Sequence, residues 1–164
     1  MSRAWVFGDD LDTDQMVPGR YAPFMVGQDK FHLYAFCDAR PGFAKEVQPG
    51  DVLVGGENFG CGSSREYAVA ALKKLGVGGI VAKSFARIFF RNCINLGIPV
   101  LESEDAVAFA RDGDQVALDL GAGVLRTPHG DARLRPIAEF AQEILAAGGV
   151  VAYLREHGDF PRVP

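Results

Sequence analysis

Within residues 56–65, GENFGCGSSR, two adjacent hydroxyls (Ser63, Ser64) stand beside a guanidinium (Arg65) and a thiol (Cys61), after glycines at 56, 60 and 62. Glu66 and an alanine-rich run follow, so the group sits where a strand hands over to a helix. A helix start offers unpaired N–H groups and a partial positive charge, and it favours an anion. Arg65 is suited to grip a carboxylate through two parallel hydrogen bonds. Hydroxyls beside it can donate to the same ligand or take a proton from it. The combination points to a small carboxylate substrate and a serine acting as base in a positively charged pocket, with glycines letting the main chain approach the ligand. A purely local reading also fits. Ser63 and Glu66 have the spacing of a capping box, and glycines suit a tight turn.

Three familiar motifs are excluded. A Walker A loop requires a lysine that is missing between Gly55 and Ser64. The dinucleotide fingerprint fails at its third glycine, which is Arg65. No serine here is flanked two residues away by glycine on both sides, as a nucleophile elbow demands. Lowering a serine pKa by roughly six units takes about 8 kcal/mol. A helix terminus supplies about 0.3 to 2 kcal/mol. Something beyond these residues must complete the site.

The three cysteines, Cys37, Cys61 and Cys93, form no C-x-x-C pair, and His32, His129 and His157 show no ligand spacing relative to them. No metal or cofactor is therefore expected on this chain alone. A net charge of −4 with scattered basic residues argues against general affinity for nucleic acid or anionic membrane. No apolar stretch approaches the roughly 18 to 20 residues of a transmembrane helix. No secretory signal is read at the start, and a soluble, cytoplasmic protein is expected.

The positioning elements follow from the hydrophobic pattern. Residues 3–7 read as a strand, followed by the polar run Asp9-Asp10-Leu11-Asp12-Thr13-Asp14 and the turn Pro18-Gly19. Residues 20–45 have weak periodicity and are long for a connector. Strands are expected around 51–54, 79–82 and 98–101, with helices from Ser63 to Gly76 and from Ser84 to Leu96 between them. Short connections imply right-handed crossovers and a parallel core. Gln115–Leu120 alternates and turns through Gly121-Ala122-Gly123 into Val124-Leu125, which is a hairpin. Pro136 opens a helix through Leu145, and a shorter helical piece follows around Tyr153. The fold class is α/β, with a mostly parallel core and an added antiparallel hairpin. With 164 residues and 48% apolar content, one domain over 1–164 is expected.

The set Gly56-x-Asn58-Phe59-Gly60-Cys61-Gly62-Ser63-Ser64-Arg65-Glu66, Ala82-Lys83-Ser84-Phe85-Ala86-Arg87-Ile88-Phe89-Phe90-Arg91-Asn92 and Gly97-Ile98-Pro99, with Asp12-Thr13-Asp14 upstream, resembles the swivel domain of the aconitase superfamily. In length and motifs it is similar to the separately encoded small subunits of 3-isopropylmalate dehydratase and homoaconitase. The resemblance covers nearly the whole chain. It implies a swivelling β/β/α domain that docks on a large catalytic subunit as a heterodimer or heterotetramer. That subunit carries three cysteines and a [4Fe–4S] cluster, whose open iron binds the substrate's hydroxyl and carboxylate. The implied reaction dehydrates a 2-alkylmalate-type acid and rehydrates it with the hydroxyl moved one carbon. By the same resemblance Ser63 removes the carbon-bound proton, Ser64 and Arg65 bind substrate carboxylate, and Asp14 lies near the active site. Cys61 receives no catalytic part. Arg87 and Arg91 are read as structural or interface residues, and Asp9, Asp10 and Asp12 as a turn-forming cluster. Tyr67 departs from the histidine usual after Ser-Ser-Arg-Glu, which affects local helix contacts more than chemistry.

The resemblance also makes the stretch after Pro18-Gly19 a mobile loop that senses the substrate's variable group, here Arg20, Tyr21, Ala22, Pro23 and Phe24. The apolar run Ala22–Met25 suits an isopropyl group. Arg20, Lys30 and His32 leave room for the extra carboxylate of a homoaconitase-type tricarboxylate. Charge matching favours isopropylmalate over the homoaconitase alternative. A reading from another class is a non-enzymatic module that senses an anionic metabolite.

Overall fold

The computed structural model describes residues 1–162. The last two positions of the expected 1–164 domain lie outside the described residues. Seven strands form one sheet: β1 (Ser2–Val6), β2 (Val52–Gly55), β3 (Gly79–Ala82), β4 (Val100–Glu102), β5 (Gln115–Asp119), β6 (Val124–Thr127) and β7 (Gly130–Arg133). Their order is β4-β3-β2-β1-β5-β6-β7. The first four run parallel, and β5 turns back antiparallel to β1 before β6 and β7 follow as a meander. The α/β reading with a parallel core and an antiparallel addition therefore holds. The addition is three-stranded rather than a hairpin, because β7 (GDAR) buries only Ala132 and has no alternating signature.

Helices connect and cover the strands: α1 (Thr13–Met16), α2 (Pro23–Val26), α3 (Phe43–Glu46), α4 (Glu66–Lys74), α5 (Arg87–Leu96), α6 (Ala106–Phe109), α7 (Glu139–Ala147) and α8 (Val150–His157). Strands covered on both faces become continuous apolar runs rather than alternating ones. In β2 Val52 and Val54 join Ala4, Val81 and Leu101 on one side, against α6 and the meander. Leu53 joins Trp5, Ile80 and Val100 on the other, against α4, α5, α7 and α8. Among the described residues no helix is long and apolar enough to cross a membrane.

Residues 20–45 are not an unbroken connector. Two 3-10 turns, Gly19–Tyr21 and Phe31–Tyr34, alternate with α2 and α3. Phe31, Phe36 and Phe43 are buried beneath them, while Phe24 and Met25 stand out at 82% and 61% exposure.

The C-termini of α5 and α7 converge, which brings two negative helix ends together. Lys73, on α4, donates to the carbonyls of Leu96 and Gly148, the latter at 2.9 Å. Lys73→Met is expected to lower unfolding stability by about 1 kcal/mol. The check is a urea titration, read as a lower midpoint at unchanged slope. An unchanged midpoint would show that Lys73 is a solvated surface charge.

Candidate active site

The glycine-rich segment leaves the end of β2 and becomes a strap held on both sides by main chain. Gly60 donates to the Leu11 carbonyl at 2.7 Å, and Thr13 donates to the Cys61 carbonyl at 2.9 Å. On the other side Phe59 donates to Ser84 at 3.0 Å, and Ala86 donates to Phe59 at 3.0 Å. The glycines serve this packing. At Gly60, with φ +83°, a Cβ would overlap the ring of Phe89, and at Gly62, with φ +91°, it would lie 2.8 Å from an Asp12 oxygen. The main chain thus closes on its own side chains, and Gly60 and Gly62 also line the small cleft that holds Ser63.

The capping box at Ser63 does not form. The residue capping α4 is Arg65, in an extended conformation, and no side chain caps the helix. The hydroxyl of Thr13 donates to the Ser63 carbonyl at 2.7 Å, which holds Ser63 outside the helix. The box is at Asp12 instead. Its carboxylate accepts from the Asp14 N–H at 2.6 Å, and Gln15 accepts from the Asp12 N–H at 2.9 Å. Asp9 and Asp10 receive bonds from Glu57 N–H and the Asn58 amide, so the acidic cluster braces the strap.

Released from capping, the Ser63 hydroxyl has no hydrogen-bond partner among the described residues. It opens on a cleft of about 220 Å³ lined also by Thr13, Ser64, Arg65, Arg87 and Asn92. Arg65 is half-buried. Its Nη1 donates to Asp14 Oδ1 at 2.7 Å and to the Tyr67 hydroxyl at 3.0 Å. Ser63, Ser64, Arg65 and Asp14 are therefore brought together. Arg87 also lines this cleft, exposed and without an ion pair among the described residues, whereas sequence reasoning gave it only a structural or interface part. Two larger clefts, about 790 and 890 Å³, lie beside α7 and include neither Ser63 nor Arg65. Chemistry, not size, selects the site.

The loop residues diverge. Arg20 donates to both Asp38 oxygens, at 2.7 and 2.6 Å, and lies over the Tyr21 ring. The Asp38 hydrogen bond, then that of Tyr21, raises the Arg20 pKa above its usual value, and Arg20 in turn lowers that of Asp38. Tyr21 stacks on Tyr34 with centroids 4.0 Å apart. Ala22 is fully buried, Pro23 is partly buried and opens α2, and Phe24 is exposed. Burial first, then Asp12 and Asp10, push the Cys61 thiol up, opposite to what a thiolate nucleophile or metal ligand needs. Among the described residues no three His, Cys, Asp or Glu side chains converge to hold a metal ion.

Sequence reasoning missed two contributors. Thr13 was part of the Asp12-Thr13-Asp14 pattern but had no role, and its bond to Ser63 spans 50 positions. Tyr67 was noted only as a departure.

Residues 13–106 match the aconitase C-terminal domain family. A homoaconitase small subunit from Thermus thermophilus is 58% identical over 98% of this chain and 99% of its own length. A 3-isopropylmalate dehydratase small subunit from Deinococcus radiodurans is 53% identical over 98% of this chain and 90% of its own length. The crystal structure of a 3-isopropylmalate dehydratase from Methanocaldococcus jannaschii superposes with a TM-score of 0.86 at 40% identity, covering 96% of this chain and 93% of that one. The chain belongs to the aconitase C-terminal domain family.

Proposed function

We propose that this chain is the small subunit of a 3-isopropylmalate dehydratase, a hydro-lyase of leucine biosynthesis that works in the cytoplasm with a large subunit. The observation that carries the reading is an unpaired Ser63 hydroxyl sharing one small cleft with Arg65. Ser63 Oγ, as the alkoxide, takes the carbon-bound proton of 2-isopropylmalate, the freed electron pair forms the double bond, and the hydroxyl on the neighbouring carbon leaves as hydroxide. Hydroxide then adds to the carbon that lost the proton, and Ser63 returns the proton to the carbon that lost the hydroxyl, which restores the alkoxide. Arg65 and Ser64 hold a substrate carboxylate, and Asp14 steadies Arg65. In this reading a [4Fe–4S] cluster held by the large subunit, as the family resemblance implies, would supply Lewis-acid activation of the leaving hydroxyl. The swivel domain of 1–164 then contributes half of an active site.

In the same reading the Gly19–Tyr34 segment senses the substrate's variable group. Its one arginine there, Arg20, is engaged by Asp38 and Tyr21, while Phe24 and Met25 offer apolar surface. This supports an alkyl group over a third carboxylate. The second reading, a homoaconitase small subunit, is favoured by the 58% identity to the Thermus protein. Reconstitution with the large subunit under anaerobic conditions separates the two. Expected is a kcat/KM for 2-isopropylmalate at least about tenfold above that for homocitrate or homoaconitate. The reverse order overturns the assignment in favour of the homoaconitase reading. Dicarboxylate binding by the lone chain, with no turnover by the pair on any of these acids, would favour the sensing module.

A further inference from the structure

Resting on that reading, Tyr67 has a task that the reaction scheme leaves unassigned. A guanidinium carries five donor hydrogens: two on each Nη and one on Nε. Both hydrogens of Arg65 Nη1 are used, one by Asp14 at 2.7 Å and one by the Tyr67 hydroxyl at 3.0 Å. Nη2 and Nε have no partner among the described residues, and these two nitrogens form one of the planar edges that bind a carboxylate with two parallel bonds. Gly19 closes the other side. A Cβ there would lie 3.3 Å from Nη1 and 3.8 Å from Nη2, so the main chain packs directly against the guanidinium.

The Tyr67 ring, with the Arg65 guanidinium carbon 6.0 Å from its centroid, also has anchors away from Arg65. It packs with Val17, Phe31 and Ala71, together with Tyr21 and Val26, in a small apolar cluster between α4 and the Gly19–Tyr34 segment. Lys74, also on α4, clamps that segment by donating to the Gln28 carbonyl and lying over the Phe31 ring. One side chain therefore touches both the loop and the carboxylate-binding arginine.

We propose that Tyr67 is a positioning residue: its hydroxyl shares Arg65 Nη1 with Asp14, which leaves the Nη2–Nε edge for a substrate carboxylate, and its ring couples that edge to the packing of the Gly19–Tyr34 segment. Asp14 alone does not give this arrangement. Without the tyrosine oxygen, the second Nη1 hydrogen has no acceptor, and the guanidinium is free to turn both Nη nitrogens toward Asp14. Asp14 then competes with the substrate for the arginine. Tyr67 keeps the aspartate on one nitrogen.

The test is Tyr67→Phe, which keeps the ring in its apolar cluster and removes only the oxygen. In the reconstituted two-subunit enzyme with 2-isopropylmalate, KM is expected to rise by about tenfold, with a smaller change in kcat, because binding of substrate and transition state weaken together. The melting temperature of the chain stays within about 2 °C, as the apolar packing is intact. A KM within twofold of the parent, or a fall in kcat that follows a loss of thermal stability without a KM change, would overturn the proposal. A second readout uses the lone chain. The Arg65 Nη1–H₂ resonances in ¹⁵N NMR at low temperature, held in the parent by Asp14 and Tyr67, should be resolved there and broadened by rotation about the Cζ–Nη1 bond in Tyr67→Phe. Identical signals in the two proteins overturn the proposal whatever the enzyme assay shows. Failure of the parent pair to turn over 2-isopropylmalate would instead sink the functional reading and leave the NMR result to decide the positioning role.

Discussion

Ser63→Ala is expected to reduce kcat of the reconstituted enzyme by about a thousandfold or more while leaving the fold and the assembly of the two subunits unchanged. General-base catalysis contributes about 10²- to 10⁴-fold, and Ser64, which lines the same cleft, is read as a carboxylate binder. The structural contribution of residue 63 is its carbonyl, which accepts from Thr13, and alanine retains that carbonyl. The hydroxyl caps no helix, because α4 begins at Glu66 with Arg65 as its capping residue. Steady-state turnover, a melting curve and size-exclusion chromatography of the mixed subunits check the three parts. A variant that keeps most of its kcat removes Ser63 from the chemistry. One that loses kcat together with thermal stability assigns it a structural role.

The largest stability effect is expected at Asp51, which is 3% exposed at the start of β2. Its carboxylate accepts from the Arg3 N–H at 2.9 Å, the Trp5 indole at 3.0 Å and the Gln48 N–H at 2.9 Å, with the Arg3 guanidinium 3.7 Å away. Those donors come from β1 and the turn before β2, so one side chain ties the two central strands at their start. Burial pushes its pKa up, but the Gln48, Trp5 and Arg3 hydrogen bonds outweigh burial and hold it below the usual carboxylate value. A depressed folded pKa contributes stability above the unfolded pKa, and that contribution is lost as pH falls through the folded value. The window therefore lies below about pH 4, the unperturbed value for aspartate. Asp51→Asn places an NH₂ among three donors and is expected to cost about 3 kcal/mol at pH 7. That corresponds to a fall of roughly 10 °C in melting temperature. The penalty shrinks toward acid pH, where the parent loses the same charge. Equal stability of the two proteins at pH 7, or a difference that grows on acidification, contradicts this account.

The parallel core was legible because its strands are short apolar runs cut by glycine and proline, and its helices carry one-sided apolar stripes. What local sequence could not show was the competition for Ser63. A Ser-x-x-Glu spacing invites a cap, but Thr13 binds the serine carbonyl and the strap bridges residues 11–13 and 84–86, far away in the chain. An Asp-x-x-Gln spacing at Asp12–Gln15 offered the same local signal and did form. The Arg65–Tyr67 contact was hidden for another reason. Residues two apart on a helix do not face each other, and these meet only because Arg65 is extended at the helix start. The grouping of the candidate residues was more legible than their bonding: Ser63, Ser64 and Arg65 do share a cleft, whereas Ala22 is buried away from solvent and Arg20 is held by Asp38.

The central claim is that Ser63 moves the carbon-bound proton, and breaking of a labelled C–H bond tests it most directly. The reconstituted enzyme is incubated anaerobically with 2-isopropylmalate that carries deuterium on the carbon that loses its proton, and the label remaining on that carbon is followed by NMR. The account predicts loss of deuterium from that carbon with the parent chain and at least about a hundredfold slower loss with Ser63→Ala. Loss with Ser63→Ala at the parent rate would contradict it.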